Sequence, residues 1–502
     1  MAALLTTLFL GAVVGSIYAL SAFGLVLTYR ASGVFNFAHG AVGMLGAFTF
    51  YHLTQVWGFP TGVALVLVVG IAAPLVGWIL DATLFRRIRD AGEVVKIVVT
   101  VGLLVALQGL AGVIWGAGTT LTPTSIFSET IFVVGDLRAG AEQLATVGLT
   151  IALATLLMVF LGRTWIGVQM RATVDRAEIA EISGIDTGRI SALSWAIGTS
   201  FGALGGILLA PSFGSLDPTT LTFYIVAATA AAVAGRLQSF PLTLVGGFAI
   251  GMAQLIVQRY APGDIARQLT PAIPFLVLFG LLFLPQWRRR PSDRYTPPPL
   301  PPVIREISRK DFATRLAIIV AFAALAPFVV GETWQFHLAH VPPVAIIFLS
   351  LVVLCGFGGE VSLCHAALAG VGAFVTAQLV ADMNVPFFLA VLLGGVAVVP
   401  LGIFLAFRAA NLSPLFLGFA TLAFGAVIDE VLFNSRWFSG GLSGVFFERP
   451  RYIASPRIYY IAGLLIFGIL ALLVQNLRRS KTGLALGAMR DSEVGLQALG
   501  VD

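Results

Sequence analysis

Asn36-Phe37-Ala38-His39-Gly40-Ala41-Val42-Gly43-Met44-Leu45-Gly46-Ala47-Phe48 has a near-copy further along the same chain. The copy reads Ser362-Leu363-Cys364-His365-Ala366-Ala367-Leu368-Ala369-Gly370-Val371-Gly372-Ala373-Phe374. Each stretch places one histidine at the head of a run of small apolar residues. Matching segments with polar or helix-breaking interruptions, one in each half of a chain, are the sequence mark of a duplicated membrane pathway. The reading that follows is all-α: two homologous multi-span helical bundles in one polypeptide.

Composition agrees with a membrane-embedded chain. Of 502 residues, 58% are hydrophobic and 11% charged, with mean hydropathy +0.96; soluble domains carry about 25% charged residues. Apolar runs long enough for a hydrocarbon core of about 30 Å recur throughout. The first, residues 4–28, is too long for a cleavable leader and lacks a basic head, so it reads as a span. We place about nine spans near residues 5–28, 34–54, 61–80, 95–117, 146–162, 191–212, 221–235, 241–259 and 271–287. About six more fall near 316–331, 342–357, 361–381, 387–407, 414–432 and 457–477. This gives a first unit over 1–290, a cytoplasmic linker over 291–310 and a second unit over 311–502. The linker is named for its proline-rich stretch at 291–302, expected to run extended.

Net charge is +6, and only Lys96, Lys310 and Lys481 of the thirty basic residues are lysine. In a membrane protein such an excess marks cytoplasmic loops, so it gives no reason to expect nucleic acid as a partner. Nine spans from an outer N-terminus bring three basic loops to one side: Arg86, Arg87 and Arg89; Arg163 to Arg189 with Arg171 and Arg176; and Arg288 to Arg290 with Arg294. Arg408 and Arg478-Arg479-Lys481 follow by the same count. The loop at 433–456, with Arg436, Arg449 and Arg451, runs against it.

A second pair of segments repeats at one constant offset, residues 163–186 and 479–502. Arg163 matches Arg479, Gly167 matches Gly483, Ala172 matches Ala488, Asp175 matches Asp491, Gly184 matches Gly500 and Asp186 matches Asp502. Each is polar and long enough for two short helices, with glycine suited to a left-handed helix end. A solvated inter-span loop would look similar, but fixed glycine spacing in both halves favours a docking surface. Beyond Asp186 the first half continues through four more spans, whereas the second half stops at Asp502; the second unit is therefore expected to be incomplete.

Chemistry is sparse. No Gly-x4-Gly-Lys-Ser/Thr phosphate loop occurs, and Lys481-Thr482 lacks the glycines that would cradle phosphate. Cys355 and Cys364 read as buried free thiols. The five histidines are not at metal-ligand spacing, and no catalytic constellation is present, so an enzyme is not expected. His39 and His365 carry two readings: structural histidines at the cytoplasmic ends of membrane helices, or residues of a pathway, since polar groups in spans face cavities. Asn36 and Ser362 are expected to cap the helices that follow. Gly43, Gly46, Gly370 and Gly372 read as close helix packing.

These residues resemble the permease subunits of the branched-chain amino-acid ABC importers. The first half is similar to the shorter subunit through residues 36–40, 85–89, 163–186 and 235–247. The second is similar to the longer subunit through 358–374, 421–425 and 479–502. The resemblance implies a fusion of two subunits in the bacterial plasma (inner) membrane, working by alternating access. It implies no cofactor in this chain, with ATP and Mg on two cytoplasmic ABC ATPase subunits, and an extracytoplasmic substrate-binding protein as a further partner beside the lipid bilayer. ATPase docking falls on loops 163–190 and 479–502, with Arg171, Asp175, Glu181, Gly184, Ile185, Arg490, Asp491 and Gly500 as candidate contacts. Substrate-pathway candidates are Asn36, His39, Gly40, Ser362, His365, Thr421, Asp429 and Glu430; no metal site is expected. The chain departs from the family at Glu360, Cys364 and Ala426, where the family has Gln, Gly and Glu, with Asp429 and Glu430 a turn beyond Ala426. Urea, amide and aromatic-carboxylate permeases share the scaffold, and an ATP-independent carrier or channel could share the repeat.

Overall fold

The computed structural model describes residues 2–502 except 90, 117–120, 124–125, 127–130, 135–136, 176, 285–307, 410–411, 441–444, 446–449, 492, 499 and 501–502. The proline-rich stretch at 291–302, Arg176, Arg288 to Arg290, Arg294, Arg449 and Asp502 lie outside the described residues. The chain divides into two compact units, Met1–Leu284 and Pro285–Asp502. Eleven helices among the described residues are long and apolar enough to cross a membrane, and three shorter apolar helices accompany them.

In the first unit α1 (Ala2–Ser32) is the central post. Its 31 residues span about 46 Å at 1.5 Å per residue, more than a bilayer core requires. It is followed by α2 (His39–Tyr51), α3 (Thr61–Leu65), α4 (Ala73–Thr83), α5 (Glu93–Trp115) and α6 (Ala141–Arg163). Then come α7 (Trp165–Asp175), α8 (Ala177–Ile182), α9 (Thr187–Phe213), α10 (Pro218–Phe223), α11 (Ile225–Ala234), α12 (Phe240–Tyr260) and α13 (Gly263–Leu282). A π-helical turn continues α2 over His52–Val56, and another, Val66–Ala72, joins α3 to α4. The span expected at 221–235 is two helices broken at Tyr224, because the Asp217-Pro218 start leaves α10 only six residues. Among the described residues an antiparallel hairpin, Ile131–Val134 with Leu137–Gly140, departs from helix and leads into α6.

Small residues let α1 bury itself. Lipid offers helices no hydrophobic drive to associate, so close backbone approach matters more. Gly11 and Gly15 of α1 meet Gly247 and Gly251 of α12. A Cβ at Gly15 would stand 2.7 Å from the Phe248 Cα, and one at Gly11 2.9 Å from the Gly251 oxygen. Against α9, a Cβ on Gly46 of α2 would lie 2.8 Å from Ala203 Cα, and one on Gly206 2.9 Å from Gly43 Cα. Gly43 and Gly46 thus serve packing, as expected. Trp195 of α9 is fully buried and stacks on Phe85 at 3.9 Å between ring centroids.

The second unit holds α14 (Arg309–Val329), α15 (Glu332–Leu338), α16 (Val341–Leu351, continued by a π-helical turn Val352–Phe357) and α17 (His365–Ala381). It continues through α18 (Phe387–Ala409), α19 (Pro414–Val427, continued by Ile428–Phe433), α20 (Arg436–Ser439), α21 (Pro456–Arg479), α22 (Lys481–Asp491) and α23 (Glu493–Ala498). Gly372 of α17 packs on the backbone of Gly394 in α18, and Gly370 lies under the ring of Phe433. Cys355 and Cys364 are free thiols; Cys364 is buried as expected, whereas Cys355 is only partly buried.

Candidate functional site

The two repeated stretches form the same structure: a helix that stops, a short polar loop and a helix that restarts. Glycine opens both loops with left-handed backbone, Gly33 at φ +66 and Gly359 at φ +72, a conformation most side chains disfavour. The restarts come later than the sequence suggested. The spans expected from 34 and 361 begin at His39 and His365, and residues 33–38 and 358–364 are non-helical.

Neither Asn36 nor Ser362 is the helix cap expected of it. The cap positions fall on Ala38 and Cys364, with no side-chain cap bond at either. Asn36 instead accepts from the Ala38 amide at 3.0 Å, closing an Asx turn that shapes the loop before the helix. Ser362 Oγ contacts His365 Nδ1 at 2.8 Å and Cys364 Sγ at 3.4 Å.

In the first unit this loop is sealed. Asn36 and His39 are both 0% exposed. The imidazole lies in a slot between two glycines: a Cβ on Gly24 of α1 would come within 2.7 Å of it, and one on Gly202 of α9 within 2.9 Å. His39 Nε2 is 3.1 Å from the Ser21 carbonyl, and Tyr224, at the α10–α11 break, reaches Ser21 Oγ and the Gly202 carbonyl, each at 3.2 Å. Gly40 packs against the same break, where its Cβ would be 2.9 Å from Ile225 Cβ. Two polar atoms in this seal have no hydrogen-bond partner, Asn36 Nδ2 and His39 Nδ1. A buried unsatisfied group costs about 1–3 kcal/mol.

In the second unit Thr421 of α19 ties the loop down. Its hydroxyl accepts from the Leu363 amide and donates to the Gly418 carbonyl, both at 3.0 Å. Asp429 and Glu430 lie about 12 Å further along that helix by helical rise. They sit in its π-helical continuation, where Asn434 Nδ2 donates to Glu430 at 3.3 Å. The helical rise therefore separates them from Thr421.

The second repeat is matched atom for atom at its corners. Thr164 and Ser480 each accept the amide three residues on, from Gly167 at 3.0 Å and Gly483 at 3.2 Å. Those glycines are pressed onto the end of the preceding span: a Cβ would stand 2.6 Å from Leu161 Cα in one and 2.8 Å from Arg478 Cα in the other. Two short helices follow in each case, α7 with α8 and α22 with α23, and Gly184 (φ +85) and Gly500 (φ +80) close them. Arg171, Glu181, Gly184, Arg490, Asp491 and Gly500 are exposed and Ile185 is half-buried; Asp175 ends α7. Sequence reading overlooked Ile182, 87% exposed on α8, and Ile179 beside it. An apolar residue at regular spacing within a polar loop was the available signal.

These loops are wired to the spans. Asp81 of α4 is a buried carboxylate that accepts from Ser191 of α9 at 2.7 Å and faces Arg86 Nη2 at 3.5 Å. Arg86 donates to the Gly188 carbonyl and Arg89 to Thr187 Oγ1, each at 3.2 Å, and Thr187 donates to Glu181 of α8. Two basic loops expected on one side thus meet at one end of the unit. In the second unit Arg490 of α22 donates to the Gly356 carbonyl at 2.9 Å, beside Gly359 where the polar loop opens. Among the described residues no group of three or more metal-ligating side chains occurs.

Two like helical units, each with a broken polar helix and a double-helix loop at its arginine-rich end, make a multi-pass membrane permease. The family model described as "Branched-chain amino acid transport system / permease component" matches residues 7–284 and again 335–502, and the chain belongs to that family. The high-affinity branched-chain amino acid transport permease LivH of Escherichia coli K12 is 28% identical over 298 residues, covering 56% of this chain and 96% of that protein. BraD of Pseudomonas aeruginosa is 26% identical over 289 residues, covering 55% and 92%. LivM of Salmonella typhimurium is 24% identical over 255 residues, covering 45% and 60%. No solved structure matches. The repeated match shows two fused permease units in a multi-pass protein of the inner membrane.

Proposed function

We propose that this chain is the membrane component of an ATP-driven importer for branched-chain or other hydrophobic amino acids. ATP is hydrolysed on two cytoplasmic ATPase subunits that dock on residues 163–190 and 479–502, and an extracytoplasmic binding protein delivers the substrate. One observation carries this reading: the polar loop is repeated with its cap, its pressed glycine and its left-handed glycine intact, and the first copy presents Ile182 to solvent. Short helices with an exposed apolar residue suit a groove on a partner.

The polar loops change partners as the permease alternates between outward-open and inward-open states. Asn36 Nδ2 and His39 Nδ1 are the groups left to be satisfied when the first seal opens, by water or by the polar end of the substrate. Asp429 and Glu430 would suit an ammonium group near the outer face.

Deleting 171–186 tests the docking assignment. The variant should still insert in the membrane yet neither retain an ATPase on affinity purification nor support ATP-dependent uptake. Normal ATPase retention would remove the assignment. Competition of uptake by leucine, urea and benzoate tests the substrate class; leucine that fails to compete in large excess would move the protein to the urea, amide or aromatic-carboxylate group. Gradient-driven uptake by the purified chain alone would establish an ATP-independent carrier instead.

A further inference from the structure

A cavity of about 190 Å³ lies where the ends of α1 and α6 and the middle of α7 meet the start of α12. Its walls are apolar, with Met158, Leu161, Met170 and Phe240 among them, and Arg30 and Arg171 stand at its edge. A site for a whole small molecule typically measures about 300–1,000 Å³. This one is too small for such a ligand and suits an occupant that leaves most of its bulk elsewhere. Gly162 and Arg171 are exposed, so the cavity reaches the surface of the unit.

Its depth in the membrane follows from its surroundings. Arg163 ends α6, and Trp165, which starts α7, is 73% exposed. Tryptophan at the end of a span sits at head-group level, and clustered arginines mark the cytoplasmic face. Arg30 donates Nη1 to the Gln238 carbonyl at 3.1 Å, which fixes its guanidinium at the rim of α1 and α12. A planar guanidinium binds phosphate oxygens in pairs, and basic pockets between spans on this side of the membrane take anionic head groups.

We propose that this cavity binds an anionic glycerophospholipid of the cytoplasmic leaflet. The phosphate lies between Arg30 and Arg171, and the first carbons of an acyl chain enter between Met158, Met170 and Phe240. The lipid would cement α7, the first docking helix, to the membrane-embedded ends of α1 and α12.

The test uses the full chain without partner proteins, delipidated in neutral detergent and returned to phosphatidylcholine vesicles with or without phosphatidylglycerol. Phosphatidylglycerol should raise the midpoint of thermal unfolding by several degrees, and native mass spectrometry should find a phosphatidylglycerol retained. Arg30→Ala and Arg171→Ala should each shrink the shift. Gly162→Phe, which adds a ring at the cavity wall while both arginines remain, should abolish both shift and retention. Nothing lies within 4 Å of a Cβ built at Gly162; should phenylalanine nonetheless prevent folding, Gly162→Leu is the substitute. An equal shift with phosphatidylcholine alone, an equal shift with soluble glycerol 3-phosphate, or undiminished retention in the filled variant would each overturn the proposal. Because no ATPase is present, the outcome is independent of the docking assignment.

Discussion

The two polar loops share a sequence pattern and a left-handed opening glycine, but different elements hold them. His39 is wholly buried, while His365 is half-buried and Ala366 next to it exposed. In the first unit α9 lies across α2 and supplies Gly202 to the imidazole slot. In the second unit the loop is held instead by Thr421 of α19, which accepts from the Leu363 amide, and by the Ser362 contact to His365. The loop's shape is therefore local, set by glycine and turn chemistry, whereas its burial comes from an element about 160 residues away in sequence. Gly40 is pressed against Thr222 and Ile225, whereas its counterpart Ala366 carries a methyl group.

The comparison can be broken most forcefully at the histidines. His39→Ala should empty the slot between Gly24 and Gly202 and destabilise the first unit by about 2–5 kcal/mol, as for other large buried side chains. His365→Ala should cost about 1 kcal/mol, the value of one hydrogen bond. Thermal unfolding of the two variants in detergent checks this, and equal losses would mean that α9 does not make the difference. Next comes Gly40→Ala, whose added methyl must displace the Thr222 carbonyl and Ile225 and should cost about 1–3 kcal/mol, set against Ala366→Val, which should change the unfolding midpoint little. Thr164→Ala and Ser480→Ala sharpen the comparison from the other direction. Both caps are present, so both variants should lose about 1 kcal/mol of helix stability, read as faster amide exchange in α7 and α22; a loss in only one would show that the two corners are not equivalent. The smallest effect is expected from Arg490→Ala. Its bond to Gly356 is exposed, so the cost should stay below about 1 kcal/mol and appear as faster exchange confined to residues 358–364. Unchanged exchange there would remove the link between α22 and the loop.

Much of this was legible in the sequence because it is written locally. Span positions follow from runs of apolar residues, and the two-helix loops with their terminal glycines follow from spacing between Gly167, Gly184, Gly483 and Gly500. What was not legible depends on residues brought together from far apart. The Gly11/Gly15 seam with Gly247/Gly251 needs two helices read as a pair. Asp81 looks like an ordinary loop-edge carboxylate until Ser191 is placed beside it. Asn36 and Ser362 have the residue types of helix caps, but the chain makes its turn two residues earlier than a cap would. The hairpin at 131–140 carries too little alternation to stand out, and the loop at 433–456, whose arginines oppose the expected orientation, is only partly described.

The seam between α1 and α12 has a consequence for biogenesis. During synthesis the Gly11 and Gly15 face of α1 leaves the ribosome roughly 230 residues before Gly247 does. At about 5–20 residues per second that is a delay of roughly ten to fifty seconds. For that interval the longest helix of the first unit waits in the membrane with its closest-packing surface unpaired. A chaperone, the insertion machinery or lipid must occupy that groove until its permanent neighbour arrives.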